Sequence, residues 1–419
     1  MTAATSTRAT AWRVGIVVAL AAIVGAGQMW YGNRHGFFDL KIYRLAMRWW
    51  ADGNPLYDFA KPDATQGELG FTYPPFAALV LRPLAGLSVG VAEAVFVLVS
   101  VAAFAAALWW LVRPMADRYS QPRWFVFAVA FVLASALEPI RESLTFGQIN
   151  LILFALVAFD VFVLGPRGSR FSGIGIGLAT AIKLVPGVFI IYLLVCRRWR
   201  AAAVAGGTAV AATLIAWAAA PRDSWVFWTE KLLHAEGVGN LDYFSNQSIM
   251  GMLARLAAPS EPNEIVWLLI GAPIFAYGLW RAGRAASTGD EITGFTLAGL
   301  AGSLASPVTW HHHLVWFVPA VIVLVDSGLR PAEVRSGLRS RAALFTAAGV
   351  VYLTVTFSLI ALAEFTWHRP GGVLGFVALN WFVLLMLALL PTLPIRDWTD
   401  IYPNAAKRRG YRLKAGTPA

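Results

Sequence analysis

The chain has 419 residues, of which 58% are hydrophobic and 14% are charged, and its mean hydropathy is +0.62. These values exclude an ordinary soluble domain of this length and indicate a polytopic membrane protein. The net charge of +11 does not indicate nucleic-acid binding, because the basic residues lie in short connectors between apolar segments and form no continuous basic face. The single cysteine, Cys196, excludes an intramolecular disulfide and is expected in the core or facing lipid.

The first apolar segment, residues 12–30, follows Arg8 and Arg13 and is predicted to be an uncleaved membrane span that leaves the N-terminus in the cytoplasm. Residues 41–50 then repeat apolar side chains at helical spacing, which predicts an amphipathic helix along the outer interface. Its apolar face is expected to contain Ile42, Leu45, Ala46 and Trp49, and its polar face Lys41, Arg44 and Arg48.

Two later segments do not fit simple spans. Treating residues 73–87 as a full span would place the arginines of residues 113–123 outside, so we predict a short helix that dips in from the outer face. Residues 171–200 have basic side chains at both ends and a break at Lys183, and they are predicted to form two half-length helices that meet near the outer side. Irregular backbone at that depth needs protein or a cavity to cover it, so Lys183 is expected to point into a site.

The orientation of the remaining spans is predicted from lysine and arginine in the connectors, because short cytoplasmic loops contain an excess of these residues. The sequence predicts an all-α polytopic integral membrane protein of one domain, residues 1–419. It has about 13 membrane-embedded helices, counting the dipping helix and the half-helices, and both termini in the cytoplasm. We expect a first outer loop at 31–90, a long outer loop at 221–263 and a basic cytoplasmic tail at 392–419. The remaining spans are predicted at residues 91–112, 124–137, 149–164, 201–220, 264–280, 292–309, 314–325, 342–362 and 373–390.

The predicted topology places mostly basic side chains on the cytoplasmic side and chemically versatile ones on the outer side. We therefore expect chemistry on the outer face, and the distribution argues against a transporter, which needs polar residues near the bilayer midplane. Asp160 is the one clear deep acid, and it is expected to meet an arginine near the cytoplasmic end of its helix. The outer polar residues are Asp39, Asp58, Glu138, Arg141, Glu142, Gln148, Asn150, Lys183, Asp242, Asn246, Gln247, His311, His312, His313, Glu364, His368 and Arg369.

Asp39 follows the first span directly and is the first candidate for chemistry. A carboxylate within hydrogen-bond reach of an attacking hydroxyl can take its proton as the new bond forms. Aspartate is also a favoured N-cap residue, so Asp39 could simply cap the amphipathic helix. The two roles are compatible, and the spacing leaves both open.

Positive charge and hydrogen-bond donors on the outer side are candidates for a phosphate site, namely Lys183, Arg141, Arg369 and the histidines at 311–313. The histidines have two other interpretations, an exposed interfacial turn and a chance metal site. The first and third would not share a helical face, and acidic companions are missing, so we expect no metal ligands here.

The long outer loop contains Asn246-Gln247-Ser248, which matches a glycosylation acceptor. The same residues are suited to hydrogen-bonding sugar hydroxyls. Nearby aromatic side chains either stack on sugar faces or belong to the aromatic belt, which is the expected position of both tryptophans. Tyr73-Pro74-Pro75 could serve only as a rigid start for the dipping helix. The aromatic residues of the long loop are Trp225, Trp228, Tyr243 and Phe244.

Several short motifs occur in order along nearly the whole chain. Together they resemble glycosyltransferase family 87, whose members are integral membrane enzymes of the GT-C fold that use polyprenyl-phosphate sugars. The motifs are Asp39-Leu40-Lys41-Ile42-Tyr43, Phe71-Thr72-Tyr73-Pro74-Pro75-Phe76, Phe146-Gly147-Gln148-Ile149-Asn150, Lys183-Leu184-Val185-Pro186, Asn246-Gln247-Ser248 and Trp310-His311-His312-His313-Leu314-Val315-Trp316.

The resemblance implies an inverting glycosyltransferase with the aspartate of the first outer loop as general base. Asp39 is the matching position, and Asp58 in the same loop is the reserve. Within the family, the chain is most similar to the polyprenyl-phosphate-mannose-dependent α-1,2-mannosyltransferases that build phosphatidylinositol mannosides and lipoarabinomannan in actinobacterial envelopes. The arabinofuranosyltransferases of the family carry two consecutive acids where this chain has Phe38-Asp39, which favours mannose.

The resemblance therefore implies transfer of mannose from polyprenyl-phosphate mannose to a mannoside glycolipid or lipoglycan on the outer, periplasmic face of the plasma membrane. The expected partners are this donor, a mannosylated lipid acceptor and membrane lipids, with no certain cofactor and a divalent cation left open. The alternatives are an arabinofuranosyltransferase with a polyprenyl-phosphate arabinose donor, and a non-catalytic flippase of lipid-linked sugars. In this hypothesis the donor phosphate is bound by Lys183, His312, His313, Arg141 and Arg369, and the sugar or acceptor by Tyr43, Tyr73, Gln148, Asn150, Asn246 and Gln247.

Overall fold

The structure is a computed structural model that describes residues 2–63, 67–232, 239–331, 340–366 and 371–397. Within these ranges the chain is predominantly helical. The helices are α1 (Thr2–Tyr31), α2 (Phe38–Ala51), α3 (Pro75–Leu81), α4 (Val89–Arg118), α5 (Arg123–Ala136), α6 (Glu138–Phe146), α7 (Asn150–Phe159), α8 (Ile174–Ile182), α9 (Val188–Val195), α10 (Trp199–Ala219), α11 (Pro221–Val226), α12 (Ile249–Ala257), α13 (Glu264–Ser287), α14 (Glu291–Ala305), α15 (Phe317–Leu329), α16 (Arg341–Thr356), α17 (Leu359–Ala361), α18 (Gly372–Leu379) and α19 (Trp381–Thr392).

Shorter elements connect these helices. The polar stretch after α2 forms an antiparallel hairpin of β1 (Ala60–Asp63) and β2 (Gly67–Gly70), so the fold is not purely α-helical. The segment predicted as a long polar loop, residues 221–263, contains α11 and α12. Turns of 3₁₀ helix occur at Leu56–Asp58, Arg82–Gly86, Val185–Gly187 and His311–His313, and π-helical turns at Asp160–Leu164, Phe227–Lys231 and Leu362–Thr366.

Four of the described helices are long and apolar enough to cross a membrane, namely Thr7–Tyr31 within α1, and α4, α10 and α13. Three bent pairs, α5 with α6, α16 with α17, and α18 with α19, raise the number to 7 if each pair is one span. Many apolar side chains on these helices are exposed, such as Leu98 at 69% and Leu269 at 70%, as expected for surfaces that face lipid. The prediction of a multi-pass membrane protein agrees with this architecture.

Helix α14 is the centre of the bundle, because nearly all of its residues are buried. It packs against α13, α15, α19 and α9. Small residues permit this close packing, since a Cβ at Gly299 would collide with the Trp316 ring. The turn that follows α14, residues 306–313, is therefore carried by a rigid element.

Helices α8 and α9 replace a single span, as the charges of residues 171–200 predict. Helix α8 ends at Ile182, and Lys183 has extended backbone with φ −148° and ψ 129°. The 3₁₀ turn Val185–Gly187 then leads into α9. Helix α8 lies close against α10, because a Cβ at Gly177 would meet the side chain of Thr208 at 2.6 Å. The break at Lys183 is thus held in a fixed frame.

The prediction that Asp160 meets an arginine is wrong. Its carboxylate accepts the backbone N–H of Gly173 at 2.9 Å and of Ile176 at 2.7 Å. The first N–H groups of a helix lack partners within the helix. Asp160 therefore satisfies donors at the start of α8 and has a structural role.

Helix α2 is amphipathic, but its faces differ from the predicted ones. Ile42 and Ala46 are buried as expected, whereas Leu45 is 41% exposed. Arg44, which the pattern assigns to the polar face, is buried and donates to the carbonyl of Leu87 at 2.7 Å. Neighbouring elements therefore cover more of α2 than an isolated interfacial helix would allow.

A network of buried ion pairs lies at the N-terminal end of α14, away from residues 306–313. Arg396 binds Asp290 at 2.5 Å and Asp326 at 2.7 Å, and Arg118 also pairs with Asp326. Arg396 belongs to the segment predicted as a basic tail, yet it is buried. The network ties the chain after α19 to α4, α14 and α15.

Candidate active site

Asp39 is the second residue of α2 and does not cap it. The N-cap residue is Phe37, which has φ 57° and makes no side-chain capping bond. The Asp39 carboxylate instead accepts a hydrogen bond from Gln148 Nε2 at 2.7 Å. The N-cap interpretation is therefore wrong, and a residue from a distant part of the chain holds this carboxylate.

Gln148 reaches Asp39 because α6 ends in a tight turn against α2. Gly147 adopts φ 70°, and a Cβ there would lie 2.6 Å from Leu40 Cβ. Glycine is thus required both by the left-handed backbone and by the lack of space. The close approach of the two helices positions the amide beside the carboxylate.

Two buried tyrosines continue the hydrogen bonding from Gln148. Its Oε1 accepts hydrogen bonds from Tyr43 at 3.1 Å and Tyr73 at 3.3 Å, and the two hydroxyl oxygens are 2.8 Å apart. An ionised carboxylate only accepts, so Gln148 presents Nε2 to Asp39 and its carbonyl to the tyrosines. Burial raises the pKa of both tyrosines, which therefore remain protonated at neutral pH.

The electrostatics of Asp39 suit a proton acceptor. Burial raises the pKa of Asp39 to about 6, against the opposing effects of the Gln148 hydrogen bond and the charge of Lys183. A carboxylate with this pKa is mostly ionised at neutral pH and is a stronger base than an exposed aspartate. The arrangement can therefore remove a proton from a bound hydroxyl.

Lys183, at the break between α8 and α9, is surrounded by polar groups from three other parts of the chain. Its Nζ lies 3.3 Å from the Tyr73 hydroxyl, 3.1 Å from Asn150 Oδ1 and 3.0 Å from His313 Nε2. Because Tyr73 also contacts the glutamine that holds the carboxylate, hydrogen bonds run continuously from Lys183 to that carboxylate.

The hydrogen bonds around Lys183 match those of a neutral amine. His313 Nδ1 accepts the backbone N–H of Trp310 at 3.2 Å, so a neutral His313 carries its proton on Nε2 and donates to Lys183. A neutral amine has one lone pair for this bond and two N–H donors, which match Tyr73 and Asn150. Burial lowers the pKa of Lys183 to about 7, so the amine exchanges between its charged and neutral forms near neutral pH. Burial also lowers the pKa of His313 well below its usual value, so this ring stays neutral.

Asp39 and Lys183 line the same cavity, which has a volume of about 910 Å³. This is the size of a pocket for a sugar and its phosphate together with part of an acceptor. Asp58 lines the cavity too, but its side chain is exposed. Asp39 therefore has the environment of a base, and Asp58 that of a solvated surface carboxylate.

The three consecutive histidines form one 3₁₀ turn. His311 and His312 are buried, so the interpretation as an exposed interfacial turn is wrong. His312 and His313 line the cavity, and the His312 carbonyl accepts a hydrogen bond from Asn150 at 2.9 Å. His311 lies outside the cavity lining and contacts Glu138, with Nδ1 and Oε1 3.0 Å apart.

The predicted phosphate ligand Arg141 is not brought to this cavity. Its guanidinium donates to the carbonyls of Ala136 at 3.0 Å and Thr356 at 3.4 Å, and it lies 4.2 Å from the centre of the Tyr31 ring. Arg141 therefore holds the bend between α5 and α6 and does not accompany Lys183. The other predicted arginine, Arg369, lies outside the described residues.

Asn246 and Gln247 are also absent from the cavity lining. Both are fully buried, so Asn246 is not an accessible glycosylation acceptor. Asn246 donates to the carbonyls of Leu241 and Pro307, and Gln247 to those of Phe244 and Leu379. Their side-chain amides hold the loop between α11 and α12 in place. Because both amides are buried and bonded to main-chain carbonyls, the interpretation that they bind sugar does not fit.

Two glutamates lie beside His311, although no acidic residue is near it in the sequence. These are Glu138 and Glu142, and Glu138 is 173 positions away in the chain. The signal that could have found them is the spacing of the two acids, which puts both on one face of a helix at the outer side. Only the packing of α6 against the histidine turn pairs them with an imidazole.

Comparison with known proteins gives a family and several relatives. The sequence profile described as Glycosyltransferase family 87 matches residues 71–307. The chain is 36% identical over 333 residues to the polyprenol-phosphate-mannose-dependent alpha-(1-2)-phosphatidylinositol mannoside mannosyltransferase of Mycolicibacterium smegmatis, a match that covers 75% of each chain. It is 32% identical over 312 residues to the corresponding phosphatidylinositol pentamannoside mannosyltransferase of the same organism, covering 72% of this chain and 73% of the relative.

A more distant relative is named for the transfer of a different sugar, arabinofuranose. The alpha-(1->3)-arabinofuranosyltransferase of Mycobacterium tuberculosis is 30% identical over 264 residues, which cover 61% of this chain and 57% of the relative. No solved structure gave a significant match.

Proposed function

Because this chain belongs to glycosyltransferase family 87 and is a membrane glycosyltransferase, we propose that it transfers mannose from polyprenyl-phosphate mannose to a mannoside of a phosphatidylinositol-based glycolipid, forming an α-1,2 linkage. The two mannosyltransferase relatives, at 36% and 32% identity, support this donor and acceptor. The arabinofuranosyltransferase match covers only 61% of the chain, so a pentose donor is the weaker candidate.

The observation that carries this proposal is that Asp39 and Lys183 line one cavity and are joined by hydrogen-bonded side chains. An inverting transfer needs a base for the acceptor hydroxyl on one side of the anomeric carbon. It also needs positive charge for the leaving phosphate on the other side. A cavity with both groups on a fixed frame fits these needs better than it fits a flippase, which has no use for a base.

In the proposed reaction Asp39 takes the proton of the acceptor hydroxyl as that oxygen forms a bond to C1 of mannose. The bond between C1 and the phosphate oxygen breaks, and its electron pair stays on the phosphate. The β-linked donor thus gives an α-linked mannoside, polyprenyl phosphate and a protonated Asp39. Asp58 is the reserve base, and its exposure argues for the lesser role.

We assign the donor phosphate to Lys183, His312 and His313. An anionic phosphate beside Lys183 favours the charged form of the amine, so the ammonium forms as the donor binds. The His313 ring, 3.0 Å from Nζ, then turns or exchanges its tautomer to give up its bond to the lysine lone pair. The ammonium stabilises the additional charge that the phosphate acquires when the C1 bond breaks.

Tyr43, Tyr73, Gln148 and Asn150 act mainly by positioning in this proposal. Each uses its polar group on a neighbour within the same network, and together they hold the base and the lysine in place. Aromatic side chains that line the cavity, including Trp310, are better suited to contact the sugar face directly.

The proposed arrangement in the membrane follows the charges of the connectors. We propose that both termini are cytoplasmic, that the cavity opens on the outer face of the plasma membrane with α2 beside it, and that about thirteen helices are embedded when half-helices are counted. Within the described residues, up to seven spans and the short apolar helices Pro75–Gly86, Asn150–Leu164, Val185–Val195 and Phe317–Leu329 make eleven apolar segments, and α8 and α14 bring the number to thirteen.

The test uses purified full-length protein with labelled polyprenyl-phosphate mannose and a phosphatidylinositol mannoside acceptor. Asp39→Asn should lower kcat by about 10²- to 10⁴-fold, because the amide cannot accept the proton. Asp58→Asn should lower it far less, and Glu261→Gln, which neutralises an exposed loop carboxylate, serves as the matched control.

Two results would contradict the proposal. Near-normal transfer by Asp39→Asn together with loss in Asp58→Asn would reassign the base. Transfer from polyprenyl-phosphate arabinose but not from the mannose donor would reassign the sugar, and transport of lipid-linked sugar without any transfer would favour the flippase.

A further inference from the structure

Glu138, Glu142 and His311 form a buried cluster that the proposed transfer does not use. The glutamates lie one turn apart on α6, and His311 opens the 3₁₀ turn after α14. His311 Nδ1 is 3.0 Å from Glu138 Oε1 and 4.0 Å from Glu142 Oε2, and the side chains of the three residues are 3%, 9% and 3% exposed for Glu138, Glu142 and His311. None of them lines the cavity that contains the proposed base.

The cluster brings two carboxyl groups against one imidazole in a buried place. No lysine or arginine within the described ranges forms an ion pair with either glutamate. Arg141 acts on them only through its charge, because its guanidinium donates to main-chain carbonyls. Glu138 Oε1 accepts from Ser358 at 2.7 Å, and the carboxyl groups of Glu138 and Glu142 are close enough to share a proton. Oε2 of Glu138 has no other hydrogen-bond partner among the described residues. An unsatisfied buried oxygen of this kind costs about 1–3 kcal/mol, which a bound cation would offset.

The geometry suits a metal ion. One ligand-capable atom from each of the three residues lies within 4.8 Å of the others. In a tetrahedral site with ligand bonds near 2.0–2.1 Å, the ligand atoms are about 3.3 Å apart. The two distances from His311 Nδ1, 3.0 Å and 4.0 Å, lie on either side of that value.

The donor set indicates the class of ion. Imidazole nitrogen with carboxylate oxygen is a usual combination for Zn²⁺, whereas Mg²⁺ and Ca²⁺ prefer oxygen alone. His35 Nε2 lies 3.5 Å from Glu142 Oε1 and offers a further nitrogen at the edge of the cluster. Structural zinc sites are closed by four protein ligands, and His35 together with the three residues of the cluster gives that number.

We propose that Glu138, Glu142 and His311 bind a divalent transition-metal ion, Zn²⁺ by its ligand chemistry, as a structural site behind the histidine turn. The site is independent of which sugar the protein transfers. The ion replaces the contact between Glu138 and His311 with bonds to all three side chains, and it joins α6 to the turn after α14.

The role of this ion is to position the turn. The next residue, His312, already accepts hydrogen bonds through its carbonyl from Ser143 at 3.1 Å and Asn150 at 2.9 Å. A metal at His311 fixes the preceding residue as well, so the turn is held at two successive positions. His313, which lies 3.0 Å from Lys183, then keeps its place beside the lysine.

The test measures metal in the full-length protein, purified in detergent without chelators. Elemental analysis of the wild type should give about one Zn²⁺ per chain. Glu142→Gln and His311→Asn should lose the metal, whereas Glu261→Gln, the exposed loop control, should retain it. Adding Zn²⁺ to chelator-treated protein should raise the Tm of the wild type and of Glu261→Gln, but not that of Glu142→Gln.

The wild type alone can overturn the proposal, so a variant that fails to fold does not weaken the test. A wild type without stoichiometric transition metal, and without a rise in Tm on adding Zn²⁺ or Mn²⁺, would mean that the three side chains only share protons. Stoichiometric Mn²⁺ would support the site and overturn the choice of ion. Loss of mannose transfer with the metal intact would count against the proposed function and not against this site.

Discussion

The active site is predicted to have a narrow pH optimum, because its two essential groups titrate close together. Asp39 accepts a proton only when ionised, and burial raises its pKa to about 6, so activity should increase as the pH rises through 6. Lys183 binds phosphate best when protonated, and burial lowers its pKa to about 7, so donor binding should weaken as the pH rises above 7. The neighbours Tyr73, His312 and His313 do not titrate in this interval, because burial raises the pKa of the tyrosine and lowers those of the histidines.

The size of the effect follows from these two values. With pKa values of about 6 and about 7, the fraction of enzyme that has an ionised Asp39 and a charged Lys183 is largest at about pH 6.5 and falls about 20-fold by about pH 8.5. The ratio kcat/KM for the donor reports the free enzyme and should follow this curve. The alkaline decline in kcat should begin at higher pH, because bound phosphate raises the pKa of Lys183.

The discriminating variant is Lys183→Arg, since a guanidinium stays protonated throughout this range. Its maximal kcat/KM should be lower because the larger group disturbs the hydrogen bond with His313, but the decline above pH 7 should disappear. Initial rates at subsaturating donor are measured across the range at constant ionic strength, with Lys61→Arg as a control that keeps its charge on the β1 strand. A wild-type kcat/KM that stays level from neutral to alkaline pH would refute the reasoning, since Lys183 would then be charged without donor.

Three further changes test the frame around the site. Gln148→Leu removes the hydrogen bond that lowers the pKa of Asp39, so the acid limb of the kcat/KM profile should move up by about one pH unit; an unmoved limb would mean that the amide does not hold the base. Gly147→Ala forces a side chain into φ 70° and toward Leu40, so it should lower kcat strongly while costing about 1–2 kcal/mol or more in unfolding free energy, and full activity would show that α2 can shift without harm. Asp326→Asn removes one buried carboxylate that pairs with both Arg396 and Arg118, so it should lower the unfolding free energy by about 3–5 kcal/mol and leave the pH profile unchanged. Thermal denaturation and rates on the folded fraction measure the two effects.

Much of the architecture was readable from local patterns. The composition and the long apolar runs predict a membrane protein because lipid allows only backbone that satisfies its own hydrogen bonds. The paired basic ends of residues 171–200 predict two short helices and a break at Lys183, and α8 and α9 confirm both. The short dipping segment after Tyr73 corresponds to α3 and its 3₁₀ extension, which together are not long enough to span.

The same patterns could not tell which polar groups meet. Arg141, Asn246 and Gln247 are residue types that bind phosphate or sugar, yet the structure uses them to satisfy main-chain carbonyls. Such carbonyls become available only where a helix bends or a loop is buried, and those places depend on packing between distant elements. The local sequence around a polar residue therefore does not show whether a main-chain carbonyl from a distant element will need its hydrogen bond.

Local patterns are enough to identify a multi-pass membrane protein and to single out Asp39 and Lys183 as chemical candidates, because membrane spans and charged connectors obey rules that act within a few residues. The contact of Gln148 with Asp39 and that of Glu138 with His311 appear only in the folded chain. These pairs join residues more than 100 positions apart, and their contact is set by the close approach of α6 to α2 and to the histidine turn. Local periodicity determines which face of a helix is apolar, but the packing of several helices against one another determines which polar groups share a site.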